Sequence, residues 1–170
     1  RRWLAMGAAA ALLAVAAVLG ALIFGPGAAD PAGGSGAAIR SIAVLPFNNM
    51  SADPENEYFS DGLTEELLNV LSKIRGLRVV SRTSAFSFKG ARVDIPTVAQ
   101  KLNVAAILEG SVRKAGNRVR ISAQLIHVAT DSHLWSAPYD RQLEDIFAVQ
   151  DDIARSVVNE LRATLMGEKP

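Results

Sequence analysis

SIAVLPFNNMSADPENEYFSDGLTEELLNVLSKIRGLRVVSR, residues 41 to 82, sets two short apolar runs on either side of one helical pattern. SIAVLPF (41–47) is an apolar run ended by turn residues, which describes a buried strand. From Gly62 the set Leu63, Leu67, Leu71 and Ile74, widened by Leu68 and Val70, repeats at helical spacing until Gly76 supplies a stop. LRVVSR (77–82) is a second strand. Strand, helix and strand in this order imply parallel neighbours joined by a right-handed crossover. The nine residues from Asp53 to Asp61 contain four carboxylates and two aromatics, which raises the question of an acidic catalytic site. Ser60 or Asp61 suits an N-cap, with Glu65 and Glu66 in the first helical turn, where carboxylates gain from the helix dipole. Asp53, Glu55 and Glu57 accompany Pro54 and Asn56 and read as a solvated turn, with Tyr58 and Phe59 folded over the helix as a staple. No second acidic cluster beside an apolar wall is present, so a glycoside-hydrolase carboxylate pair is not supported.

Downstream, Asp94 precedes Ile95, Val98, Ala99 and Leu102, a second helix. The character then changes. VAAILEGSVRKAGNRVRISAQLIHV (104–128) holds two alternating runs around Ala115-Gly116, a hairpin that sets Val112 against Val119 and Leu108 against Ala123. One face stays apolar. The other shows Arg113, Arg118 and Arg120, with Glu109 diagonal to Arg120. HLWSAPYDR (133–141) adds an antiparallel strand whose Pro138 suits an edge. Ile146, Val149, Ile153 and Val157, flanked by Phe147, Ala154, Val158, Leu161 and Leu165, define a long amphipathic helix over about 144–166. The expected fold is α/β of the mixed α+β kind: a mixed five-stranded sheet, in the order β-α-β-α-β-β-β-α, covered by helices and preceded by one transmembrane helix.

That span is read from Trp3 to Phe24, 22 consecutive residues without a charge, long enough at about 1.5 Å per residue to cross a hydrocarbon core of about 30 Å. Arg1 and Arg2 precede it and only Asp30 follows closely, so the positive-inside rule places the N-terminus in the cytoplasm and the remainder outside. A signal peptide cleaved after Ala29 is the competing reading, although 22 apolar residues exceed the ~7–15 of a signal core. Arg rather than Met at residue 1 points to a longer parent chain with a domain before the span. Residues 25–38 are a Gly/Ala/Pro tether with too little side-chain mass to pack. The organisation is therefore 1–24 transmembrane helix, 25–38 linker and 39–167 folded extracytoplasmic domain.

Composition excludes more than it identifies. The 170 residues suit one core, and 49% apolar content rules out a disordered chain. The formal charge is +1, and residues 39–170 carry equal numbers of acidic and basic groups, so nothing argues for nucleic acid as a partner. With no cysteine there is no thiolate metal site, disulfide or cysteine nucleophile. His127 and His133 would have to converge from a turn to hold a metal, and two strand-end histidines without that role are the plainer reading. No G-x-S-x-G elbow, G-x-G-x-x-G turn or phosphate-binding G-x-x-x-x-G-K-[ST] loop occurs. Neither a cofactor nor a metal is expected, and Arg113, Lys114, Arg118 and Arg120 are read as a solvated basic hairpin. In RTSAFSFKG (82–90), Phe86 and Phe88 are lid residues over the core.

Five blocks, SIAVLPFNNMSADPENEYFSDGLTEELLNVLSKI, LRVVSRTSAFSFKG, LEGSVRKAGNRVRISAQLI, HLWSAPYDR and DIFAVQDDIA, resemble in order and spacing the TolB-like amino-terminal domain. The resemblance covers residues 39 to about 156. It implies a mixed sheet flanked by helices that serves as a protein-interaction platform without catalytic machinery. It also implies a module of bacterial membrane-anchored proteins, set between a transmembrane helix and tetratricopeptide repeats, with a winged-helix, nucleotidyl cyclase or kinase domain often preceding the span.

Geometry suggests where such a platform would work. In open parallel sheets ligands sit beyond the carboxyl ends of the strands, and the loops 46–61 and 81–93 leave strands one and two on that rim. Together they offer Asn48, Asn49, Asp61, Arg82, Thr83 and Ser84 beside the first helix, with pairing of Arg82 to loop carboxylates as the structural alternative. The function expected is a non-catalytic extracytoplasmic protein-interaction or signal-input module of a single-pass inner-membrane regulator. Its partner would be a periplasmic protein or peptide, or a second copy in a homodimer. The alternative is the regulatory segment of a membrane-bound cyclase or kinase, or of a winged-helix transcription regulator.

Overall fold

A computed structural model describes residues 38–166. The expected membrane span and all of the linker before Ala38 lie outside those residues. Among the described residues no helix is long and apolar enough to cross a membrane.

Among the described residues ten elements and a 3₁₀ turn follow one another: β1 (Ser41–Val44), β2 (Asn48–Asn49), the turn Pro54–Asn56, α1 (Glu57–Leu71), β3 (Arg78–Val79), α2 (Arg82–Phe86), α3 (Ile95–Leu102), β4 (Ala106–Ala115), β5 (Arg118–His127), β6 (Ser132–Gln142) and, last, α4 (Ile146–Met166). The sheet runs β3-β1-β4-β5-β6, with β3, β1 and β4 parallel and β4, β5 and β6 antiparallel. It has six strands rather than the five expected, because β2 pairs with β4 beyond the end of β1. The cause is length. β1 has four residues and β4 ten, so the upper half of β4 would present unpaired backbone groups to its neighbour. After the break at Pro46, Asn48 and Asn49 take that place, and Met50 N–H donates to Val112 O at 2.8 Å. Nothing in the strand propensity of Asn-Asn announces this.

The first helix begins earlier than its pattern suggested. Glu57 starts α1, so Ser60, Asp61, Glu65 and Glu66 lie inside it and do not form its cap and first turn. The capping chemistry sits upstream, where Asp53 accepts from Glu55 N–H at 2.9 Å and opens the 3₁₀ turn that leads into the helix. Ser60 and Thr64 are buried; Thr64 donates to Ser60 O and accepts from Phe47 N–H at 3.1 Å, satisfying the backbone where β1 ends. The expected aromatic staple divides: Phe59 is buried in the core and Tyr58 is exposed. β3 is shorter than its sequence run, because Ser81 caps a helix that starts at Arg82 within the expected loop. Asp94 caps α3 as its position implied, accepting from Thr97 N–H at 2.7 Å, and Asp145 does the same for α4.

The hairpin also differs in register. Val112 faces Ile121 and Leu108 faces Leu125, a shift of two residues from the expected pairing. Gly116 at φ +58° and Asn117 form the turn, the first central position taking the positive φ as in a type II′ connection. An even shift leaves the faces unchanged, so the apolar side remains apolar. It does change partners: Glu109 pairs with Gln124, which donates to it at 2.6 Å, and Arg113 stands opposite Arg120. β6 is the edge, with Pro138 in it and a bulge at Leu134 where Leu125 and Ile126 pair with Trp135 and His133.

Two apolar layers result. The larger joins Phe59, Leu63, Leu67 and Leu71 of α1 and Ile153, Val157, Leu161 and Leu165 of α4 to one face of the sheet. The smaller gathers Ala43, Val80, Val98, Ala99, Val104 and Ile107 under α3, on the opposite face. That second layer stops at β4. Beyond it the outer face of β4–β6 carries Glu109, Ser111, Arg113, Arg120, Ser122, Gln124 and Asp140, none of them buried.

Candidate functional site

The rim beyond the parallel strands is built by α1 and the segment from Ser81 to Gly90. Ser81 Oγ accepts from Ser84 N–H and bonds Ser84 Oγ at 3.1 Å, which turns the chain sharply out of β3 and leaves Arg82, Thr83 and Ser84 exposed. Arg82 lies over the Phe86 ring, 4.1 Å from its centroid, and its Nε donates to Glu65 Oε1 at 2.6 Å. At the other end of the segment Lys89 Nζ meets Asp61 at 2.7 Å and Glu57 at 2.8 Å. Burial works against the Lys89 charge, but the hydrogen bonds to Asp61 and Glu57 outweigh it and hold the ammonium above the ordinary lysine value. Two straps therefore tie α2 and its following turn to successive turns of α1. Arg82 is paired, as the structural alternative had it, although its carboxylate comes from the helix and not from the loop.

The six residues named from sequence do not converge on one point. Asp61 and Arg82 are joined through the straps, and Arg82 borders a groove with Glu65, Leu68, Asn69, Ser72, Val79 and Ser81. Thr83 and Ser84 occupy the exposed first turn of α2. Asn49 is committed to its own loop, donating to Asp53 O at 3.0 Å and accepting from Ser51 N–H at 2.9 Å. Asn48 is exposed on a different concavity, lined by Glu109, Gly110, Ser111, Ser122 and Gln124 on the outer face of β4–β5. Pairing of β2 with β4 draws Asn48 away from the rim, a consequence that no local signal in the sequence carries.

The outer face of the antiparallel strands is the feature that motif reasoning passed over. Alternation along 106–142 did announce a polar face, but not that no helix would cover it. Arg120 grips Asp140 through two hydrogen bonds of 2.7 and 2.8 Å, which hold the Asp140 carboxyl below and the guanidinium above their ordinary values. Arg113 and Arg118 border the same cleft and make no ion pair among the described residues. On the covered face Tyr139 Oη is buried without a hydrogen bond of ordinary geometry. Burial first, and then the neighbouring Glu160 carboxylate, raise its ionisation well above the tyrosine range.

Chemically these groups hold surfaces in shape. Among the described residues no three His, Asp or Glu side chains converge to bind a metal ion. His127 Nδ1 lies 3.0 Å from Thr130 Oγ1, which lies 2.7 Å from Ser132 Oγ, a network that braces the β5–β6 turn.

With this geometry in place, the relatives can be compared. Residues 38–156 match the family described as HilA/YgeH-like transcriptional regulator, second domain. A Rhizobium meliloti (strain 1021) protein named "Putative adenylate cyclase 3" is 57% identical over 125 residues, 74% of this chain; the chain spans about a fifth of that protein, 21% of its length. Among solved structures, the lipoprotein GNA1162 from Neisseria meningitidis is similar with a TM-score of 0.54 at 22% identity, over 75% of this chain and 99% of that one. The PelC dodecamer from Paraburkholderia phytofirmans gives 0.52 at 19%, over 74% and 89%. TolB from Acinetobacter baumannii gives 0.52 at 16%, over 77% and 29%. The fold is thus TolB-like and shared with bacterial envelope proteins.

Proposed function

The chain belongs to the family of the second domain of HilA/YgeH-like transcriptional regulators, and from that premise we propose that it is a non-catalytic signal-input module that recognises a protein or peptide outside the cytoplasmic membrane. One observation carries this reading: the same stretch occurs under two outputs. It corresponds to the second domain of a transcriptional regulator, and over 125 residues it is 57% identical to part of a protein named as an adenylate cyclase. A domain joined to transcription in one protein and to nucleotide cyclisation in another supplies what both need, which is input. The rim and the polar sheet face agree with that role, since they are held by ion pairs and offer exposed polar groups.

In this reading Trp3–Phe24 spans the inner membrane once, the N-terminus is cytoplasmic and residues 38–166 are periplasmic, supported by the uncharged run and by Arg1 and Arg2 before it. Partner contact falls on α2, where Arg82, Thr83 and Ser84 are exposed, with Asp61 holding Lys89 at the far end of the same segment. The identity with the Rhizobium protein favours a cyclase as the output over a kinase.

Two measurements test this. A photo-crosslinking residue at Thr83 in the membrane-borne chain is expected to capture a partner, and Arg82→Ala with Ser84→Ala to weaken capture while moving Tm by no more than a few degrees. Capture through Arg113 alone would relocate the contact to the hairpin. Replacing the matching segment of the Rhizobium protein by residues 38–156 is expected to preserve cyclic-nucleotide formation, and the purified chain to form none. Turnover of ATP by the chain itself would overturn the non-catalytic reading.

A further inference from the structure

The pole of the domain opposite the rim is where the chain enters and where its last helix ends. Ile39 N–H donates to Leu165 O at 2.8 Å, which pins the entry of the chain against the last turn of α4. Five exposed cations share this pole. Arg40 stands just before β1; its guanidinium lies near Gly76, where an added Cβ would be 3.4 Å from it. Arg78 starts β3 and hydrogen-bonds Asn103 O at the end of α3. Lys73, Arg75 and Arg162 border a groove between the ends of α1 and α4, together with Val70, Ile74, Val158 and Met166.

None of the five makes an ion pair among the described residues. Among the described residues, the carboxylates within two helical turns of the ends that form the pole are Asp131 in the β5–β6 turn, Glu65 and Glu66 of α1, of which Glu65 holds Arg82, and Glu160, which is engaged with Tyr139. The distribution contrasts with the rim, where Glu57, Asp61 and Glu65 each hold a cation. Among the described residues the charge is therefore polarised, with unpaired cations gathered at the end where β1 begins and α4 ends.

We propose that this basic pole docks on the anionic headgroups of the bilayer in which the chain is anchored. The proposal rests on the membrane reading of Trp3–Phe24 given above. Three observations favour this occupant. First, the cations frame apolar side chains, Met166 being 41% exposed, the composition of a surface that lies in the headgroup layer. Second, among the described residues these Lys and Arg side chains have no carboxylate partner, so approaching phosphates break none of the ion pairs described. Third, the sequence between Phe24 and Ile39 is only 14 residues long. Covalent geometry alone limits 14 residues to about 50 Å, so an anchored domain cannot leave the neighbourhood of the surface. Attraction of each Lys or Arg to an anionic surface acts over about 8–10 Å at moderate salt, so intermittent approach becomes residence. Docked in this way, the pole directs α2 and the rim away from the membrane, toward a partner.

The chain has no cysteine, so single labels are unambiguous. Residues 1–170 are reconstituted in nanodiscs of phosphatidylcholine, with or without phosphatidylglycerol, that contain a headgroup-attached quencher. A fluorophore on Ser72→Cys reports the pole and one on Asn117→Cys the opposite end. Phosphatidylglycerol is expected to raise quenching at residue 72 at least twofold and to leave residue 117 unchanged. The gain should disappear near 1 M salt, where screening shortens to about 3 Å. Lys73→Glu with Arg75→Glu and Arg162→Glu should return quenching to the phosphatidylcholine level without loss of the cooperative melt; Lys73→Gln with Arg75→Gln should give an intermediate value. Equal quenching in both lipids, or no response to the charge reversals, overturns the docking. Co-purification with the discs reports anchoring separately: a chain found outside the discs overturns the membrane reading and this proposal with it. An inserted chain with no lipid-dependent quenching overturns the docking alone.

Discussion

Gln150 of α4 donates its side-chain amide to the Phe59 carbonyl of α1 at 3.0 Å, through the gap left by Gly62. The glycine lies inside a helix, where it costs about 1 kcal/mol relative to alanine, and its compensation is this close polar contact between the two helices. A Cβ at residue 62 would stand 2.4 Å from Gln150 Nε2. Gln150 is 5% exposed, so a displaced amide would lose its partner without reaching water. Gly62→Ala is expected to destabilise by about 1–3 kcal/mol despite its better helix propensity. In a Gln150→Ala background the same change should be neutral or stabilising. Urea melts of the four variants of this cycle measure the coupling.

Gly110 is constrained more tightly. Its added Cβ would meet Ser122 O at 2.3 Å and the Phe47 ring at 2.4 Å, one of them backbone and the other the buried aromatic just before β2. Gly110→Ala is expected to cost about 3 kcal/mol, or to prevent folding at ordinary temperature. Pairing it with Phe47→Leu should recover only part of the loss, because the strand carbonyl remains. Thermal melts of the single and double variants decide this.

The hydroxyl of Thr64 joins the segment between β1 and β2 to α1. Thr64→Val keeps the shape but leaves the Phe47 N–H buried without an acceptor, and a loss of about 1–3 kcal/mol is expected. Thr64→Ser should retain most of the stability. Amide exchange at Phe47 should accelerate in the valine variant and not in the serine variant.

The Arg120–Asp140 pair gives a pH signature. Hydrogen bonding to Arg120 lowers the folded-state pKa of Asp140, so its contribution is complete above the ordinary carboxylate value and is lost as pH falls through the depressed one. The arginine stays charged throughout. Asp140→Asn should therefore lower Tm modestly at about pH 7, and the difference should shrink as pH falls through the depressed value of Asp140. A Tm difference that grew on acidification would contradict the assignment. Both partners are substantially exposed, so added salt should also shrink it.

What residues 38–166 form locally was legible from local chemistry. The apolar spacing of Leu63, Leu67 and Leu71 and of Ile153, Val157 and Leu161, the cap at Asp94 and the alternation along 106–142 each act within a few residues of themselves. Each appears in the structure where the spacing put it. Features that depend on distant lengths and free spaces were decided only by the tertiary structure. Asn48 and Asn49 are strand because β4 outruns β1; α1 begins at Glu57 because the 3₁₀ turn led by Asp53 feeds it; and the hairpin turns at Gly116-Asn117 because the positive φ falls on its first position. The candidate site divides for the same reason. Arg82 and Asp61 belong to two separate ion pairs between α1 and the segment from Ser81 to Gly90, with Glu65 and Lys89, while Asn48 is drawn to the outer sheet face by a pairing 63 positions further along the chain, Asn48 with Ser111. The basic pole belongs to the same class: Arg40, Lys73, Arg78 and Arg162 are scattered in sequence, and they share one end only because β1, α1, β3 and α4 all begin or end there.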